Sequence, residues 1–96
     1  MITTGWKNKK GTGDRTCRCG SWKQHWLNYS HHPWPKYCSV RGCFNAPTLG
    51  AHVINPRIAG EMIIPMCDAC NRKSESFDLV PTVEPVSANQ ASTCAK

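Results

Sequence analysis

The pattern of apolar and polar residues changes character several times along this chain. Residues 1–15 are polar, glycine-rich and basic, with no apolar period, which predicts a flexible basic arm whose one candidate anchor is Trp6. From residue 22 the period becomes helical. Trp22, His25, Trp26 and Tyr29 fall at i, i+3, i+4 and i+7, and Ser21 stands where an N-cap belongs, so a short aromatic helix is predicted over 22–29. Pro33 and Pro35 then exclude regular helix and disfavour a central strand across 29–36. In Leu49–Ile54 the alternation has period two, with Ala51 and Val53 on one face and His52 on the other. Asn55-Pro56 signals a turn, and Glu61–Ile64 is a second short strand, so a β-hairpin is predicted with a connection over 57–60. Cys67–Lys73 begins a second helix, with Asp68 in the first turn where its charge complements the helix dipole. Beyond Phe77, Pro81 and Pro85 break any continuous helix. The prediction there is an extended segment folding back over the rest, with Leu79, Val80 and Val83 as packing points.

The cysteines change this picture most. Cys38 and Cys43 are separated by four residues and Cys67 and Cys70 by two, with 23 residues between the pairs. Each spacing lets one tight turn present two thiolates, and two such pairs supply the four ligands of a tetrahedral zinc ion. Disulfides are the main alternative. Gly42, directly before the second cysteine, suits a sharp reversal of the chain. A knuckle, a hairpin and a helix start carrying the second pair occur in the order of a treble-clef zinc finger.

Cys17, Cys19 and Cys94 remain. With His25, Cys17 and Cys19 form the start of a second zinc site whose fourth ligand is Cys94 or one of His31 and His32. The competing readings are an aromatic helix face in which His25 is only a packed spacer, and a disulfide from Cys94 to Cys17 or Cys19.

Length bears on both sites. A chain of 96 residues is one domain, buries only about 60–65% of its unfolded surface and needs staples, which seven cysteines can supply. Their odd number argues against a closed disulfide set. The first ten residues do not resemble a signal peptide, and no apolar run suits a membrane span. A cytoplasmic, reducing setting is therefore expected, with thiolates on metal.

The net charge of +6 lies wholly in the first half: residues 1–41 hold eight Lys or Arg against Asp14, and residues 42–96 hold four against five acids. A one-sided basic surface suits phosphate, and plain solubility charge is the alternative.

Three stretches together resemble the zinc-stabilised HNH family, the treble-clef branch of ββα-metal nucleases. They are the Cys38/Cys43 pair, Gly50-Ala51-His52-Val53, and Ile64-Pro65-Met66-Cys67 running on to Cys70-Asn71. The resemblance covers residues 37–74. It implies a structural zinc distinct from a catalytic Mg²⁺-like ion, His52 as general base on the attacking water, Asn71 as a metal-contacting or orienting group, and Arg72 or Lys73 on phosphate. The chain departs from that pattern at Ala51, where the family often has a metal-binding Asp, and at Glu61-Met62, near where it has an orienting Asn. Asn55 and Glu61 are the candidate substitutes.

The expectation is a small α+β zinc-stabilised domain over 16–96, with a treble-clef core at 37–75, an N-terminal aromatic helix and a C-terminal extended segment at 76–96. Two functions fit it. One is an HNH-like protein acting on nucleic acid, an endonuclease if His52 is catalytic. The other is a non-catalytic zinc module that binds nucleic acid or a protein partner through an aromatic and basic face of Trp22, Trp26, Arg18 and Lys23. The alternative for His52 is a polar residue filling the cup of the zinc module.

Overall fold

A computed structural model describes residues 2–9 and 20–88. Its elements are strand β1 (Lys7–Asn8), helix α1 (Trp22–Ser30), strands β2 (Leu49–Asn55) and β3 (Ile58–Met66), the single helical turn α2 (Asp68–Asn71) and strand β4 (Val86–Ser87). The four strands form one antiparallel sheet in the order β1-β2-β3-β4.

Helix α1 starts as its cap demands. The Ser21 hydroxyl accepts from the Gln24 amide at 3.0 Å, satisfying one of the donors that a helix start leaves open. It ends at His31, which is left-handed with φ 62° and terminates the helical ladder two residues before Pro33. The helix then lies flat against β2. A Cβ at Gly50 would stand 2.5 Å from the backbone carbonyl carbon of Trp22 and 2.6 Å from its oxygen, so only glycine lets the two backbones approach this closely.

The hairpin of β2 and β3 is tighter and longer than predicted. Its turn is Pro56-Arg57, and the second strand begins at Ile58 rather than Glu61. Asn55 decides this. Its side-chain oxygen accepts from the Arg57 amide at 3.0 Å, and its side-chain amide donates to Thr4 O at 2.9 Å, so it shapes the turn and ties down the N-terminal segment. A register shift between Val53 and Asn55 takes up the irregularity.

Each face of the sheet carries its own core. Ala51 and Val53 pair with Ile64 and Met62, and this face packs with Trp6, Leu79 and the buried cysteines. His52 pairs with Ile63 on the opposite face, which packs with Trp26 and Val86 and is covered by α1. The aromatic stripe of α1 is thus largely spent on the sheet: Trp26 is buried and Trp22 lies over His52.

The basic arm divides. Trp6 is fully buried, Lys7-Asn8 pairs with β2, and Trp6 bridges Phe77, so residues 2–9 are part of the folded body, with Trp6 in its core. Residues 10–15 lie outside the described residues. From residue 77 to 88 the chain runs largely extended, with a turn at Pro81-Thr82: Leu79 is buried and bridges Val40, and β4 then pairs with β3, while residues 89–96 lie outside the described residues. Among the described residues, no helix is long and apolar enough to cross a membrane.

Candidate metal centre

Two local structures bring the four cysteines together. In the knuckle, the Cys43 amide donates to Val40 O at 3.0 Å, and Gly42 sits at φ 85°, the left-handed conformation the reversal needs. At the other side, Cys67 leaves β3 and caps α2, its sulfur accepting from the Cys70 amide at 3.4 Å. The Cys67 amide in turn donates to the Cys38 sulfur at 3.4 Å, and Asn45 reaches Cys67 Sγ at 3.8 Å. N–H groups aimed at sulfur stabilise thiolate and orient it for an ion.

All four ligand atoms lie within 4.8 Å of one another, and Cys43 Sγ is 3.7 Å from Cys67 Sγ. Zn–S bonds of about 2.3 Å at tetrahedral angles put sulfurs about 3.8 Å apart. That spacing fits zinc, and it is far beyond a disulfide bond of about 2.05 Å. The four cysteines are free thiols, three buried and Cys43 half-buried. This cluster can hold a metal ion such as zinc.

The thiols are not equivalent. Burial pushes Cys38 up from its ordinary value of 9.0, and does the same for Cys70, whose hydrogen bond to Cys67 adds to the effect. Burial would also raise Cys67, but the hydrogen bonds it accepts from Cys70, Asn45 and Cys43 outweigh that and bring it down to about 7. One sulfur thus gathers the negative charge that its neighbours help to hold.

Zinc in this cluster would brace the knuckle against the hairpin and α2. The turn α2 has its own support, which the sequence did not signal. Asn8 from β1 donates to Cys70 O at 2.9 Å and Lys73 O at 3.0 Å, taking up carbonyls that a longer helix would use internally. The helix predicted from Cys67 therefore stops at Asn71, after one turn.

The other candidate residues are dispersed. His52 is buried on the α1 face, with the Trp22 ring 4.3 Å away in an edge arrangement. The cysteine cluster lies with the opposite face. Asn71 is exposed at the end of α2, next to Cys70. Asn55 is committed to Thr4 and the hairpin turn. Glu61 is half-buried, its backbone oxygen accepting from the Ala88 amide at 2.9 Å. Arg72 pairs with Asp68 at 2.6 Å, both well exposed, and Lys73 is half-buried beside Cys43 and Cys70.

Of the second zinc site, Cys17, Cys19 and Cys94 lie outside the described residues, as does Arg18. His25 is fully buried between the rings of Trp22 and Tyr29, each 5.1 Å away, and its Nε2 meets Ser87 O at 2.8 Å. A carbonyl only accepts, so Nε2 carries the hydrogen there. His31 and His32 are both exposed, and His32 Nε2 is 3.8 Å from a Glu84 carboxylate oxygen.

The expected aromatic and basic face also needs correction. Trp26 is buried, its Nε1 donating to Glu84 O at 2.7 Å, and Trp22 is half-buried against His52, because these rings cover the sheet. The most exposed aromatic side chains are instead Tyr37 and Phe44, at the knuckle.

Comparison with protein-family models, with curated proteins and with solved structures finds no match to this chain.

Proposed function

We propose that this chain is a treble-clef-like zinc module that binds nucleic acid without cutting it. The observation that carries the zinc part is the four-sulfur cluster at tetrahedral spacing, assembled from a knuckle and a helical turn on either side of a hairpin. Reduction of the helix to one turn fits an ion that supplies the bracing a longer helix would give. The nucleic-acid part is supported by the net charge of +6, whose excess lies in the first half of the chain.

The position of His52 favours a packing role over catalysis. A general base needs room for water beside its ring and for the phosphate it attacks. His52 is buried beneath Trp22, on the face opposite the cysteines. The endonuclease reading would require α1 to leave the sheet.

Native mass spectrometry of the purified protein should count zinc, and one ion per chain at the four-cysteine site is the minimum expected. Nucleic-acid binding should weaken steeply as salt rises. Plasmid incubated with the zinc-loaded protein and Mg²⁺ should stay intact. Nicking that disappears in His52→Ala, with the zinc content retained, would overturn the non-catalytic reading.

A further inference from the structure

Two concave parts of the described surface adjoin the cysteine cluster. One is a groove of about 570 Å³ whose lining includes Trp34, Pro35, Lys36, Tyr37 and Thr82. The other is a shallower depression of about 460 Å³ lined in part by Arg41, Asn45 and Lys73. Gly42, Cys43 and Phe44 line both, so the knuckle forms the ridge between them.

Phe44 is 77% exposed and Tyr37 49% exposed. Their centroids are 5.8 Å apart and their planes meet at 87°. Exposing two large rings on neighbouring loops gives up burial free energy that a small domain can ill spare, which marks the patch for a partner. Cations stand on both sides of it. Lys36 Nζ is 5.7 Å from the Tyr37 ring centre, and Lys23 Nζ is 4.8 Å from that of Trp34. Arg41 and Lys73 line the depression, where no acidic side chain among the described residues does. Glu84 is the acidic residue lining the groove, and it faces His32.

Exposed rings interleaved with cations match a strand whose phosphates need neutralising and whose base faces are open. A duplex keeps its base faces stacked inside, so the rings would have nothing to stack on. Two perpendicular rings suit bases splayed apart, as single strands allow. We propose that the Tyr37–Phe44 ridge, with Lys36 on one side and Arg41 and Lys73 on the other, is a stacking platform for single-stranded nucleic acid. This rests on the nucleic-acid reading above and narrows it to one substrate class and one surface.

The test uses fluorescence anisotropy of zinc-loaded full chain with labelled oligo(dT), oligo(U) and a duplex of equal length. Single strands should bind more tightly than duplex. Phe44→Ala and Tyr37→Ala should each weaken single-strand binding by about 5- to 100-fold and leave duplex binding unchanged. Arg41→Gln and Lys73→Gln should each lower the salt slope for single strands by about 0.7. Zinc content and melting temperature, measured on every variant, separate a surface effect from misfolding, and exposed Phe44 is the variant least able to disturb the fold. Salt-sensitive binding of both substrates, unaffected by Phe44→Ala and Tyr37→Ala, would overturn the platform while leaving the nucleic-acid reading intact. Absence of binding to any of the three probes would overturn both and assign the ridge to a protein partner. Loss of zinc affinity without loss of binding in Arg41→Gln and Lys73→Gln would show that these cations serve the thiolates, and would overturn their part in the platform.

Discussion

Removal of the metal is the sharpest perturbation. On the cysteine face the buried core is an eleven-residue cluster of which three members, Cys38, Cys67 and Cys70, are themselves candidate metal ligands. Without an ion those thiols are small, weakly polar fillers, and the contacts between the knuckle and Cys67 are long ones to sulfur: Cys67 N–H to Cys38, Asn45 to Cys67 and Cys43 to Cys67. Structural zinc in small modules contributes about 10–16 kcal/mol of apparent binding free energy at pH 7. The net stability of an ordinary domain is about 5–15 kcal/mol. A zinc ion bound here would therefore contribute about as much as the whole folding free energy, and the chelated chain should be largely unfolded. Position within the cluster adds a ranking. Cys43 is half-buried and Cys70 buried, so water can replace the sulfur lost in Cys43→Ser, whereas Cys70→Ser leaves a closed site one ligand short. Cys43→Ser should keep bound metal at reduced affinity, and Cys70→Ser should fail to fold. Far-UV circular dichroism melts, paired with metal analysis of each sample, read both effects. A metal-free protein that melts cooperatively within a few degrees of the loaded one would refute the reasoning, as would the reverse ranking of the two serine variants.

Other expectations follow from particular contacts. In the metal-free state Cys38 and Cys70 have raised pKa values, so near neutral pH both hold protons that an ion must displace. Loading should thus strengthen as pH rises and be lost as it falls, by at least about a hundredfold in apparent affinity per pH unit between about pH 6 and 8, and more steeply below about 7 where Cys67 also gains a proton, measured by chelator competition. A flat profile would mean that no proton leaves, and a tenfold slope that only one does. Gly50→Ala sets a methyl group against the Trp22 backbone, which should cost about 1–3 kcal/mol and lower the melting temperature of the zinc-loaded protein by several degrees. An unchanged melt would show that α1 does not lie on β2 at this point. Asn8→Asp keeps shape but turns a carboxylate toward the carbonyls of Cys70 and Lys73, so urea titration should show a loss of about 1–3 kcal/mol or more. Stability equal to the parent would exclude the brace.

What local chemistry governs was legible in the chain itself. A capping serine, a stripe of rings and two proline-broken segments act within a few residues, and α1 and the extended segment after Phe77 appear where those signals lie. Thiol pairs in tight turns are equally local, and the two halves of the cluster come from the predicted knuckle and helix start. The opposition of His52 to Ala51 and Val53 was also legible, since side chains alternate along a strand.

Which face met the cysteines and which met the aromatic helix was decided by tertiary structure. Alternation sorts residues into two sets without saying what covers either, and here it is the fit of α1 over Gly50 that puts Trp22 on His52. The same holds for Trp6 and Asn8, whose partners Phe77, Cys70 and Lys73 lie more than sixty positions away in the sequence. No pattern within the polar N-terminal run encodes such contacts. Exposure of Tyr37 and Phe44 was hidden for a related reason. An aromatic residue in a loop reads alike whether packed or open, and only the assembled knuckle leaves these two rings facing outward.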